Sequence, residues 1–258
     1  MQKHARPARP RWISIRRSAA ALTRLAGAGV IVFAAAAARA DECPGAASAF
    51  DANGAALAIP TGGAGKPLDI LAIGSSSTEG IGASTPANAY PARLEDELTH
   101  RDRIAADVEN AGVGGELAAK TLQRLKNALK SGWARLVIWQ VGTNDAMVGV
   151  DEALFRATVE TGVAAARAAG VPLVLIDPQV TAKSPDEARY DRYVEIVDEI
   201  GAHDHVPVLS RYAMMNQRGA KGARALLSGD GLHMNDLGYR CLAHALAEAI
   251  EGAAGAKL

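Results

Sequence analysis

Leu71-Ala72-Ile73-Gly74-Ser75-Ser76-Ser77-Thr78-Glu79-Gly80 (LAIGSSSTEG) contains the turn from which the rest of the chain can be read. An apolar run of strand length, Leu68–Ile73, stops at a glycine and gives way to three consecutive serines. Such a turn fits a polar linker, a phosphate cradle or a nucleophile. A phosphate loop needs a helix opening directly after the glycine-rich turn, with a lysine in it. Here Gly80, Gly82, Thr85 and Pro86 postpone the next helix to about Tyr90, and no lysine follows. No glycine triplet has the dinucleotide spacing, and the Gly-x-Ser-x-Gly elbow of the α/β-hydrolases is absent. Linkers do not sit hard against a buried strand. A serine, for its part, is a nucleophile only beside a base, an orienter for that base and donors for an oxyanion.

Beyond this turn, apolar runs alternate with segments of helical period. Strands are expected at Leu68–Ile73, Ile104–Glu109, Leu136–Gln140, Pro172–Ile176 and Val206–Leu209. Helical patterns begin at Leu94 to Leu98, with Pro91 in position to start them, and recur at Leu117–Leu129, Glu152–Ala169, Glu187–Ala202 and Asp236–Glu251. Asn235 or Asp236 caps the last of these, where Leu242, Leu246 and Ile250 recur every four residues. This alternation implies an α/β fold: a doubly wound, mainly parallel five-stranded sheet with helices on both faces and right-handed crossovers. Ligands of such sheets bind beyond the carboxyl ends of the strands, where strand order reverses. Gly74-Ser75-Ser76, Asn110 to Gly115, and Gly142-Thr143-Asn144-Asp145 follow the first three strands, so all three turns converge on one edge.

A base and its orienter are offered by Gly229-Asp230-Gly231-Leu232-His233. In an irregular loop this spacing lets the Asp230 carboxylate curl onto the His233 imidazole and hold the tautomer whose free nitrogen faces a serine. Asn144 standing alone would read as an Asx turn after a strand, and Asp145 as a structural turn residue. His203-Asp204-His205 has no third and fourth ligand at metal-binding spacing and reads as a helix end. His244 reads as a partly buried surface residue of the last helix, and Trp139 as core. Arg211 and Tyr212, after the fifth strand, either edge the pocket or pack a helix. Gln140 and Gln179 end strands at the same edge, with nothing to single them out.

Taken together and in order, Gly74-Ser75-Ser76-Ser77, Asn110-Ala111-Gly112-Val113-Gly114-Gly115, Gly142-Thr143-Asn144-Asp145 and Asp230-Gly231-Leu232-His233 resemble the four blocks of the SGNH hydrolases, also called GDSL esterases and lipases. The resemblance covers about residues 68 to 251 and implies a flavodoxin-like fold and a serine hydrolase needing no metal or cofactor. Position by position it makes Ser76 the nucleophile, Asp230 and His233 the orienter and base, and Ser76, Gly115 and Asn144 the oxyanion hole. Gly114, adjacent to Gly115, is the alternative glycine. The chain departs from the family pattern at Ser75, where Asp is usual, and at Ser77, where Leu is frequent. Family substrates include short-chain esters and acetylated sugars, but also lysophospholipids and thioesters. Transfer of the acyl group to a sugar, or a silent carbohydrate-binding module, are the alternatives.

Composition bears on where this chemistry would take place. The 258-residue chain has a formal net charge of zero, but residues 1 to 40 contain eight basic residues and no acidic one. The remainder carries 20 basic and 28 acidic residues, a net charge of −8. That balance speaks against nucleic acid and against stable association of the mature chain with anionic membranes. Residues 1–40 read as a signal peptide: a basic n-region, an apolar run from Leu25 to Ala38 and small residues at Ala38 and Ala40. The run falls short of the roughly 20 residues that span a bilayer, with an uncleaved anchor as the alternative. Arg16-Arg17 would suit twin-arginine export, although Ser and Ala follow the pair. Cleavage near Ala40 would leave a periplasmic or extracellular protein with an N-terminal arm over 41–66 and a hydrolase domain over 67–258. Asp41-Glu42 before Cys43 is no lipobox, so an oxidising compartment favours a disulfide between Cys43 and Cys241, against two unpaired thiols as the alternative. The expected partner is a small-molecule or carbohydrate ester.

Overall fold

The computed structural model describes residues 43, 46, 48–54, 57, 59, 67–101 and 104–255; the expected signal peptide over 1–40 lies outside the described residues. Six strands form one sheet: β1 (Phe50–Asp51), β2 (Leu68–Gly74), β3 (Ala106–Gly112), β4 (Leu136–Gln140), β5 (Leu173–Ile176) and β6 (Val208–Leu209), in the order β1-β6-β5-β4-β2-β3. The five expected strands are present and pair in parallel, with boundaries shifted by up to three residues. β1 is an addition. It pairs antiparallel with β6, Phe50 opposite Leu209, so part of the segment set apart as an arm closes one sheet edge. Two residues between Gly- and Ala-rich stretches carry no periodicity by which to recognise a strand.

Nine helices are described: α1 (Ser76–Glu79), α2 (Tyr90–Asp96), α3 (Ala118–Ser131), α4 (Thr143–Val148), α5 (Glu152–Ala168), α6 (Glu187–Asp204), α7 (Arg211–Asn216), α8 (Gly219–Arg224) and α9 (Asp236–Gly255). α2 runs on into a π-type turn over Glu97–Arg101. Pro91 stands in the first turn of α2, and Asn235 caps α9 by accepting the N–H groups of Leu237 and Gly238 at 3.0 Å.

Strand residues alternate between two cores, as a sheet covered on both faces requires. Ile70 and Ala72 of β2 join Ile138, Val174 and Leu209 against Leu94 of α2 and Leu242, Leu246 and Ile250 of α9. Leu71 and Ile73 face the other way with Val137, Trp139 and Leu175, against Leu125 of α3, Phe155 and Val159 of α5 and Val197 of α6. Each Leu, Ile, Val or Phe buried in this way is worth about 1.5–3 kcal/mol. α5 approaches this second layer closely because Gly162 has no side chain: a Cβ there would lie 2.2 Å from Cζ3 of Trp139. In the first layer Cys43 and Cys241 form a disulfide that ties the arm to α9. The chain runs from β2 to β3 on one side and then crosses to β4 on the other, which puts the switch in strand order at the carboxyl end of β2.

Candidate active site

β2 delivers its chain to that switch as a strand buried at every position but Asp69, and at Gly74 there is no room for a side chain. A Cβ would lie 2.4 Å from Thr78 Oγ1 and 2.8 Å from Gln140 Oε1. The three serines then separate. Ser75 turns inward, its N–H and Oγ both donating to Gln140 Oε1 at 3.0 and 3.1 Å, and Thr78 Oγ1 donates to the same oxygen at 3.3 Å. Ser77 is buried as well. Ser76, the first residue of α1, is the member of the triplet that is not buried.

His233 reaches it from the far end of the chain. Its Nε2 is 2.9 Å from Ser76 Oγ, and its Nδ1 is 2.6 Å from Asp230 Oδ2. The short Asp-x-x-His spacing works because Asp230 Oδ1 accepts the N–H groups of Leu232 and His233 at 2.8 and 2.9 Å, an Asx turn that folds the carboxylate back over the ring. Ser228 Oγ donates to the same oxygen at 2.8 Å. Burial by itself would raise the Asp230 carboxyl. Hydrogen bonds from the His233 ring, from the N–H groups of His233 and Leu232 and from Ser228 outweigh it and hold the group well below the usual carboxylate range. An ionised Asp230 only accepts, so Nδ1 carries the shared hydrogen and Nε2 presents its lone pair to Ser76.

The loop after β3 forms the opposite wall. Val113 N–H is taken by Gly74 O at 3.1 Å and Gly114 N–H by Glu79 Oε2 at 2.7 Å. Among the described residues the N–H of Gly115 meets no acceptor. Gly115 is left-handed at φ 76°, and a Cβ on it would meet nothing within 4 Å, so its peptide borders open space. Asn144 Nδ2 spends one of its two hydrogens on Glu116 O at 2.8 Å, and Ser75, Glu116 and Asn144 line one narrow recess. Arg124 secures this wall from behind: it holds Glu116 Oε2 at 2.7 and 2.8 Å, Ala111 O at 2.8 Å and Gly74 O at 3.1 Å. Both carboxylate oxygens of Asp145 accept the Ala118 N–H at 3.1 Å, pinning the start of α3; burial pushes this carboxyl up to about 6 in spite of that bond.

A third loop, 81–89, closes on the histidine. Gly82 lies so near that a Cβ would be 2.4 Å from Met234 O and 2.9 Å from His233 Cβ. Asp236 latches the loop by accepting Ser84 N–H at 2.8 Å, Ser84 Oγ at 2.6 Å and Asn88 Nδ2 at 2.9 Å.

Ser76, His233, Asp230, Gly115 and Asn144 are thus gathered at one edge of the sheet. His205 ends α6 with φ 52° and His203 is exposed, in keeping with a helix end. One expectation needs correction. His244 is not a surface residue but is buried between Glu97 and Glu248, because the π-type turn folds over α9. Of the two readings of Arg211, packing is the one observed: it is wholly buried, with Nε on Asp177 O at 2.6 Å. Glu79 and Arg124 went unnoticed in the sequence. Glu79 stands one helical turn after Ser76, which was the available signal, whereas Arg124 has none.

The family model of the non-GDSL lipase-like family matches residues 43–256. The chain belongs to this family. It is an ester-bond hydrolase of the SGNH superfamily, and Ser75 in place of the Asp of Gly-Asp-Ser agrees with the family's description. No curated protein sequence matches the chain. Among solved structures it is similar to a lipase/acylhydrolase from Enterococcus faecalis, with 24% identity over 71% of this chain and 95% of that one at a TM-score of 0.63. It also resembles the acetyl xylan esterase AlAXEase (17% identity, 70% and 99% covered, TM-score 0.60). A third likeness is to a two-domain esterase active on acetylated mannans (21% identity, 73% and 51% covered, TM-score 0.57). At these identities the likeness is one of fold. Among the described residues no three His, Cys, Asp or Glu side chains gather to hold a metal, and no helix is long and apolar enough to cross a membrane.

Proposed function

We propose that this esterase is exported and removes short-chain acyl or acetyl groups from sugars or small molecules through an acyl-enzyme on Ser76. The reading is carried by the unbroken relay from Asp230 Oδ2 to His233 Nδ1 at 2.6 Å and from His233 Nε2 to Ser76 Oγ at 2.9 Å. Ser76 Oγ attacks the ester carbonyl carbon as His233 Nε2 takes its proton. The oxyanion that forms is met by the N–H groups of Ser76 and Gly115 and by the remaining amide hydrogen of Asn144, each worth about 3 kcal/mol. Gly115 is preferred to Gly114 because the Gly114 N–H is already committed to Glu79. Collapse expels the alcohol, which leaves with the proton from His233. Water then attacks the acyl carbon with His233 again as base, and the acid departs as Ser76 regains its proton.

The basic and apolar pattern of residues 1–40 supports a removed signal peptide, and the Cys43–Cys241 disulfide suits an oxidising compartment. In this reading 41–66 is an arm fastened to the hydrolase domain over 67–258. The small acyl group is favoured by the shared fold with esterases of acetylated xylan and mannan, and the −8 charge of residues 41–258 disfavours anionic lipid surfaces. Fluorophosphonate labelling and 4-nitrophenyl acetate turnover test the assignment. Ser76→Ala is expected to lose the label and about 10⁴-fold or more of kcat, while Ser75→Ala and Ser77→Ala still take the label. Turnover retained in Ser76→Ala would end it.

A further inference from the structure

Beneath the cleft a buried side chain joins its two walls. Gln179, in the loop after β5, is 1% exposed. Its Oε1 accepts Thr143 Oγ1 at 2.9 Å, and its Nε2 donates to Leu232 O at 3.1 Å. Thr143 immediately precedes Asn144, and Leu232 immediately precedes His233. The direction of this chain is fixed by chemistry. Leu232 O can only accept, so the amide nitrogen of Gln179 faces it and Oε1 is left facing Thr143, whose hydroxyl must donate. Arg211 Nη2, 3.1 Å from Thr143 Oγ1, donates to that hydroxyl in turn. Tyr190 OH donates to Gln179 O at 2.7 Å and steadies the backbone of the bridge. The same loop grips Gly231 O through Ala182 N–H at 2.9 Å and Thr181 Oγ1 at 3.2 Å.

We infer that Gln179 is a positioning residue: its carboxamide sets the spacing between the oxyanion amide of Asn144 and the imidazole of His233, and the carbonyl of Leu232 and the hydroxyl of Thr143 fix its orientation. The inference rests on the catalytic reading of Ser76, Asn144 and His233 given above. Gln179 touches no reacting atom. It acts by keeping an oxyanion donor at the start of α4 and a base in the loop before α9, 89 residues apart in sequence, in register for one transition state. The bridge thus governs the chemical step rather than the binding of the ground state.

Gln179→Met conserves volume and burial but deletes both bonds, and Thr143→Val removes the hydroxyl, whereas Thr143→Ser retains it. With 4-nitrophenyl acetate, Gln179→Met is expected to lower kcat about 10- to 100-fold with KM within about twofold. Thr143→Val should fall comparably, Thr143→Ser should recover, and the double variant should be no worse than the poorer single one. In proton NMR the wild type is expected to show a sharp downfield His233 Nδ1–H resonance, which should broaden or shift in Gln179→Met. A folded Gln179→Met with unchanged kcat and an unchanged imidazole resonance overturns the inference, as do fully additive losses in the double variant. Should Gln179→Met fail to fold, the Thr143→Val and Thr143→Ser pair decides alone. A wild type without ester turnover would defeat the catalytic reading instead, and the imidazole resonance would still test the bridge.

Discussion

Two histidines of this chain rest against carboxylates at nearly equal distances, and their second nitrogens have different partners. His233 Nδ1 is 2.6 Å from Asp230, and His244 Nδ1 is 2.8 Å from Glu97. The far nitrogen of His233 meets the hydroxyl of Ser76 at 2.9 Å, in a cleft bordered by the open peptide of Gly115. The far nitrogen of His244 meets a second carboxylate, Glu248, at 3.3 Å within α9. A cavity of about 210 Å³ opens beside it, lined among the described residues by Cys43, the arginines 93, 101 and 240, Asp96, Glu97 and His100, none of which bears a hydroxyl. A carboxylate orients an imidazole in both places. What faces the other nitrogen separates the proposed base from a strut, and a His-carboxylate motif in sequence does not contain that information.

The largest expected effect separates the two rings directly. His233→Ala should lower kcat by about 10⁴-fold or more and leave the unfolding midpoint nearly unchanged. His244→Ala should leave kcat within about twofold and cost about 1–3 kcal/mol of stability, because it empties a buried site and strips the largely shielded Glu97 of its partner. Steady-state kinetics and denaturant melts of both variants check this, and a comparable loss of kcat in His244→Ala would break the comparison. Next comes the disulfide, whose Cys241 lies on α9 one turn from His244. The chain-entropy model gives about 5 kcal/mol for so long a loop as an upper value, or about 10–20 °C in Tm for a chain of this size. Reduction under native conditions should therefore lower Tm while kcat at 25 °C is retained. An unchanged Tm would mean that the α9 side is not held by this tie.

Much of the fold was legible because it is local. Runs such as Leu136–Gln140 are buried on both faces and so read as continuous apolar strands, and each strand of the switch ends in its own glycine-bearing turn. Of the site, Ser76, Asn144, Asp230 and His233 stand in blocks that carry their own signal. The supports do not. Gln140 and Gln179 find their partners 65 and 53 residues away, so their roles exist only after folding. β1 is defined by its pairing with β6, about 157 residues downstream, rather than by its own two residues. The burial of His244 likewise depends on Glu97, 147 residues earlier in the chain, folding over α9.

Acid provides the smallest and most discriminating test. Burial works against ionisation of Glu97, but hydrogen bonds and charge from His244 and then Arg101 outweigh it and hold the carboxyl below its ordinary value of 4.5. Asp230 is held low as well, chiefly by its hydrogen bonds with His233 in spite of burial. A carboxyl lowered by folding binds protons more readily in the unfolded chain. Its contribution to stability is therefore complete above the unfolded value and is lost as pH falls through the folded one. For Glu97, denaturant melts from about pH 6 down to about pH 2.5 should show the wild type losing stability below about 4.5, and Glu97→Gln should flatten that slope while kcat at neutral pH stays the same. Asp230→Asn should instead act on kcat, because the group it alters orients the base that faces Ser76. Equal acid slopes for wild type and Glu97→Gln would show that the carboxylates at His244 do not hold α9. The contrast between the two histidines would then reduce to Ser76 alone.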